Sequence, residues 1–136
     1  MKCILYLSIL LIFISCNEYK NDKIESRLER VREDSHFRLD SIESRDWDTL
    51  YVLTPYTDIE SKLGSSISEK IKYYELGSKS YDHLCSLIFV KEGEVISCYD
   101  VNRNIADFSI LVSSSCIFDK EQIYYLNKKR EVQVSE

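Results

Sequence analysis

The sequence predicts one α+β domain built mainly on an antiparallel sheet. Three observations lead there. The chain has 136 residues, 44% of them hydrophobic and 12% aromatic, which is enough for one real core and no more. Short β-branched and aromatic runs recur between turn signals. Helical periodicity is confined to two stretches, near residues 22–34 and 57–77.

Composition removes several functions. Lys plus Arg number 18 against 23 Asp plus Glu, a formal charge of −5, so the basic footprint of a nucleic-acid binder is missing. Three glycines leave no phosphate-cradling loop and no dinucleotide fingerprint. The two histidines, His36 and His83, and the absence of CxxC or HxxxH spacing argue against a metal site. No Gly-x-Ser-x-Gly, Ser-x-x-Lys or glutamine-framed cysteine provides a nucleophile. No cofactor is indicated, and an enzyme is not expected.

Taken in order, the elements begin with Met1 and Lys2, a minimal positive start. An apolar run follows at residues 4–14, broken only by Ser8. Eleven positions are too few to span a bilayer as a helix, which needs about 20. The run ends Phe13-Ile14-Ser15-Cys16 and turns polar at Asn17.

This stretch resembles a bacterial lipoprotein signal, with Phe13 where Leu is usual, a small residue at Ser15 and the lipidated cysteine at Cys16. The resemblance implies cleavage before Cys16 and acylation there, with two or more chains giving stable membrane attachment. Asn17, in place of Asp, implies no inner-membrane retention, hence the outer membrane of a diderm bacterium. Removing 15 residues from 136 leaves 121, and losing Lys2 takes the formal charge from −5 to −6. The organisation expected is a signal at 1–15, a tether at 16–22, an amphipathic helix at 23–34, the α+β domain at 35–127 and a charged, frayed tail at 128–136.

Within the mature part, Ile24, Leu28 and Val31 at i, i+4 and i+7 form a narrow helical stripe that docks lightly or serves as a stalk. Phe37 and Leu39 alternate with polar residues in a strand over 36–42. After an acidic corner at 43–46, residues 49–53 (Thr-Leu-Tyr-Val-Leu) read as a strand ended by Thr54-Pro55. Thr57-x-x-Glu60 is a capping box for a short helix that Gly64 closes, and Ser66-x-x-Glu69 opens a second helix running to Gly77.

Residues 84–90 and 95–101 form the clearest hairpin, turning at Lys91-Glu92-Gly93-Glu94. Both of its faces are apolar, which places it within a sheet covered on both sides. With Val90 opposite Val95, an unbroken ladder sets Leu87 against Cys98 and puts Cys85 diagonal to Cys98 on one face. A Cys85–Cys98 disulfide is then open, against the favoured reading of free buried thiols. Residues 108–112 are a further strand, and 116–118 with 123–126 a last hairpin.

The most distinctive stretch is Asp46-Trp47-Asp48, running through Pro55-Tyr56-Thr57. With residues 87–95, it resembles a group of small, often lipid-anchored bacterial proteins of unknown function that share a Trp-Asp strand start and a Pro-Tyr strand end. The resemblance covers residues 46–108 and implies a fold and an envelope setting, with no established reaction. On a strand, Asp46 and Asp48 point the same way, as acid and base chemistry requires. The favoured reading is that they punctuate the strand while Trp47 plugs the core edge. Tyr51 and Tyr56 form a candidate aromatic ledge for a glycan or peptide, although ten tyrosines make such a cluster ordinary.

The expectation for function is a lipid-anchored envelope protein, bound to the membrane through Cys16. It serves as a protein-binding, structural or immunity-type factor with an envelope or secreted partner. The alternative is an envelope hydrolase or glycan-binding module using Asp46, Asp48 and the nearby tyrosines.

Overall fold

The computed structural model describes residues 21–113 and 115–136. The elements are α1 (Asn21–Glu29), β1 (Ser35–Arg38), β2 (Thr49–Leu53), α2 (Ile59–Ile71), β3 (Leu84–Lys91), β4 (Glu94–Asn102), β5 (Ile117–Asp119), β6 (Ile123–Leu126) and β7 (Val132–Val134). Short 3-10 turns lie at Leu39–Ser41, Gly77–Lys79 and Ser109–Ser113. Two antiparallel sheets result, one of order β4-β3-β2-β5 and one of order β1-β6-β7. The α+β class, mainly sheet, is what the sequence predicts.

Alternation along the strands divides the interior in two. Leu50, Val52, Cys85, Leu87, Phe89, Val101 and Phe118 face a core shared with α1 and the inner side of the small sheet, where Tyr124, Leu126 and Val132 are buried. Leu53, Ile88, Val90 and Cys98 face the other way, onto Ile67 and Ile71 of α2. The large sheet is therefore covered on both sides, and β3 is buried from Cys85 to Val90. Among the described residues, no helix is long and apolar enough to cross a membrane.

The expected hairpin register holds only at its tip. Val90 pairs with Val95, but Phe89 pairs with Ser97, so Ile96 is an extra residue in a β-bulge. Beyond it the ladder is shifted by one, with Ile88 opposite Cys98, Leu87 opposite Tyr99 and Cys85 opposite Val101. A one-residue slip exchanges faces. Cys85 therefore enters the α1-side core and Cys98 the α2-side core, both thiols are free, and the Cys85–Cys98 disulfide is corrected.

Other boundaries move for identifiable reasons. α1 stops at Glu29, short of residue 34, and docks fully, with Ile24 and Leu28 buried. The strand expected over 36–42 ends at Arg38, where the Ser41 hydroxyl donates to the Arg38 carbonyl and tightens a 3-10 turn. The Thr57 hydroxyl turns back to the Thr54 carbonyl, 2.8 Å away, so Asp58 rather than Thr57 precedes the helix. Gly64, at φ 78° and ψ 168°, breaks α2 into the two expected segments, but the second ends at Ile71 and not at Gly77.

The strand expected over 108–112 is replaced by the 3-10 turn Ser109–Ser113. Asp107 accepts the Ser109 N–H at 2.9 Å, and Phe108 and Leu111 enter the core at a three-residue period. β5 and β6 do not pair with each other: β5 joins β2 and β6 joins β1, because the turn after Asp119 carries the chain between sheets. The expected tail is structural, with β7 completing the small sheet and Val132 wholly buried.

Candidate functional site

The corner before β2 is built by Trp47. Its indole is buried edge-on against Phe89, ring centroids 5.0 Å apart, which forces the flanking aspartates outward. Both reach the β3–β4 hairpin tip. Asp46 pairs with Lys91 at 3.3 Å and with Lys120 at 3.4 Å, its side chain 71% exposed. Asp48 accepts the Glu92 N–H at 2.8 Å and the Thr49 hydroxyl at 2.8 Å. Its own N–H donates to Val90, and its carbonyl takes the Lys120 N–H.

Hydrogen bonds from the Lys91 and Lys120 side chains hold Asp46 below the usual carboxylate pKa, and the Glu92 N–H does the same for Asp48. The two carboxylates precede β2 instead of lying on it, and each makes its own contact with the hairpin tip, Asp46 with Lys91 and Asp48 with the Glu92 N–H. Both are held ionised by lysines and backbone, which suits fastening two turns together and not proton donation.

The tyrosines lie elsewhere. Tyr51 points to the opposite layer and packs, half-buried, against the α2 cluster. Tyr56 follows β2 and is 67% exposed, at φ 57°. The five residues of β2 separate it from the aspartate corner by about 17 Å at the rise of an extended strand. The set Asp46, Trp47, Asp48, Tyr51 and Tyr56 is thus spread over two ends and two faces. Cys16 lies outside the described residues.

Two polar clusters went unnoticed in the sequence. Glu43, only 4% exposed, accepts the Tyr99 hydroxyl at 2.6 Å, the Ser97 hydroxyl at 2.9 Å and the Arg45 N–H at 2.9 Å. Burial pushes its pKa up, but these hydrogen bonds outweigh it and the net shift is downward. The Arg45 guanidinium also donates to the Ile96 carbonyl, closing the edge of β4 at the bulge.

The second cluster centres on Arg103, whose guanidinium forks onto Asp107 through Nε at 3.1 Å and Nη2 at 3.0 Å and reaches the Asp82 carbonyl through Nη1 at 3.0 Å. For Asp107, burial raises the pKa and the Arg103 pairing more than reverses it. Arg103 and Asp107 at i, i+4 were the available signal, but their turn looked like a plain connection. Among the described residues, no group of three or more His, Cys, Asp or Glu side chains is placed to hold a metal. No protein family, curated protein or solved structure matches the chain.

Proposed function

We propose that the chain is a lipid-anchored bacterial envelope protein that acts by binding a protein partner, as a structural or immunity-type factor. The observation that carries this reading is the sequence Phe13-Ile14-Ser15-Cys16, an apolar run closing on a cysteine, five residues before α1 begins at Asn21. Acylation at Cys16 holds the domain close to the bilayer, and Asn17 directs it to the outer membrane.

Binding is favoured over hydrolysis because the most distinctive carboxylates, Asp46 and Asp48, are taken up in fastening turns. Ile123 and Val134, 45% and 41% exposed on the neighbouring strands β6 and β7, offer apolar contact area at the surface.

Metabolic labelling with a fatty acid tests the anchor. Label is expected on the wild-type chain and absent from Cys16→Ser, and persistence of label in the variant refutes the assignment. Pull-down from a detergent extract is expected to recover one specific envelope or secreted protein, and a clean monomer without a partner counts against the binding role.

A further inference from the structure

α1 and the turn after it are fastened to the body of the domain from several distant stretches of the chain. Ile24 and Leu28 are buried in the core beneath the large sheet. The Asn102 N–H, at the end of β4, donates to the Glu25 carboxylate at 2.7 Å. The Arg27 guanidinium donates to the Ile42 carbonyl in the turn after β1. From the loop between β6 and β7, Arg130 donates to the Leu28 carbonyl at 2.9 Å and the Val31 carbonyl at 3.0 Å. Asp34 accepts the Tyr125 hydroxyl at 3.0 Å and pairs with Lys128 at 3.5 Å.

These bonds decide what kind of element α1 is. A helix resting on its apolar stripe alone could swing away as a stalk. Undocking this one exposes Ile24 and Leu28 to water and strips the bonds to Asn102, Ile42 and Arg130 together, so α1 opens only when the domain unfolds.

A docked α1 limits reach. Cys16 lies five residues before Asn21, and a chain of that length extends at most about 17 Å whatever path it takes. A compact domain of this size is about 35 Å across. Were α1 a free stalk, the residues from Asn21 to Ser35 would add up to about 45 Å more.

We propose that α1 is a rigid foot: with an acylated Cys16 it keeps the whole domain within about 50 Å of the bilayer, too near to bridge to a structure held farther off. The proposal rests on the lipid-anchor reading above and narrows it. Contacts with a partner are made at the membrane surface.

Neutron reflectometry tests this on the full acylated chain, purified from bacterial membranes and placed in a planar bilayer of phosphatidylethanolamine and phosphatidylglycerol. Protein density is expected to end about 50 Å from the headgroups. Inserting 20 Gly and Ser residues after Asn17 lengthens the leash without touching the domain, and is expected to move the outer limit of the density out by about 25 Å. Hydrogen exchange on the same wild-type chain is expected to show the amides of residues 25–29 protected within about tenfold of those in β3. Density beyond about 70 Å in the acylated wild type overturns the proposal, as does an insertion that moves nothing or exchange in α1 a thousandfold faster than in β3. Mass spectrometry separates the two readings: a chain recovered without its acyl group overturns the anchor and the foot together, whereas an acylated chain that fails the other measurements overturns the foot alone.

Discussion

The Tyr99 hydroxyl donates to the Glu43 carboxylate at 2.6 Å, joining the turn after β1 to the edge strand β4. The residues are 56 positions apart in the chain, so the bond closes a long loop as well as satisfying a buried charge. Ser97 donates to the same oxygen from the same strand. The bulge at Ile96 sets both hydroxyls on Glu43, since without the slip the alternation of β4 reverses.

Stability should therefore fall on acidification. The Glu43 pKa is below its ordinary 4.5 in the folded chain, so its contribution is present above about pH 4.5 and is lost as pH drops through the lower folded value. Denaturant titrations at stepped pH should show part of this acid loss missing in Glu43→Gln. Tyr99→Phe, which removes one hydrogen bond to a charged group, should cost about 1–3 kcal/mol at pH 7.

Arg130 should matter as much as any apolar residue. At φ 62°, it sends its guanidinium to the carbonyls of Leu28 at 2.9 Å, Val31 at 3.0 Å and Ile105 at 2.8 Å, satisfying the end of α1 from the far end of the chain. Urea unfolding of Arg130→Ala should show a loss of about 2–4 kcal/mol, because three part-buried carbonyls lose a charged donor together. A chain ending at Asn127 also loses Val132 from the core and should not fold cooperatively.

What the sequence revealed follows a physical division. Strands β2, β3 and β4 were legible because their β-branched and aromatic residues leave few other places to go. Ile96 was not, because nothing in Val95-Ile96-Ser97 distinguishes a bulge from regular pairing. The run Lys128-Lys129-Arg130 concealed β7: one cation that caps a helix looks, in sequence, like any solvated charge. Asp46 and Asp48 stand out in the sequence as a pair of carboxylates, yet the lysines that engage Asp46 and the Glu92 N–H that engages Asp48 come from distant parts of the chain. Glu43 passed for a surface acid since the two hydroxyls that hold it lie more than fifty residues away.

Gly77 should accept a side chain only by displacing its neighbours. A Cβ there would lie 2.4 Å from Leu84 Cδ1 and 2.8 Å from Asp100 Oδ2, the latter atom accepting the Gly77 N–H. Gly93 faces open space, and its constraint is the left-handed φ of 77° alone. Thermal unfolding should separate the two mechanisms: about 1 kcal/mol for Gly93→Ala from backbone strain, and about 2 kcal/mol or more for Gly77→Ala from displacement of packed groups. Equal effects would mean that the approach of Leu84 is looser than described.

The shifted ladder also determines the chemistry of the cysteines. Burial raises the thiols of Cys85 and Cys98 to about 12, so near neutral pH both stay protonated and unreactive. Cys116 is half-buried, with its Sγ 3.9 Å from the Lys62 carbonyl. Iodoacetamide on the native chain should therefore label Cys116 first of these three, with Cys85 and Cys98 following only on denaturation, as read by peptide mass spectrometry. A mild oxidant should not join Cys85 to Cys98, because the sheet itself stands between their side chains. A Cys85–Cys98 cross-linked peptide from folded protein would contradict the bulge at Ile96, and with it the placement of Ser97 and Tyr99 on Glu43, since one register governs all four.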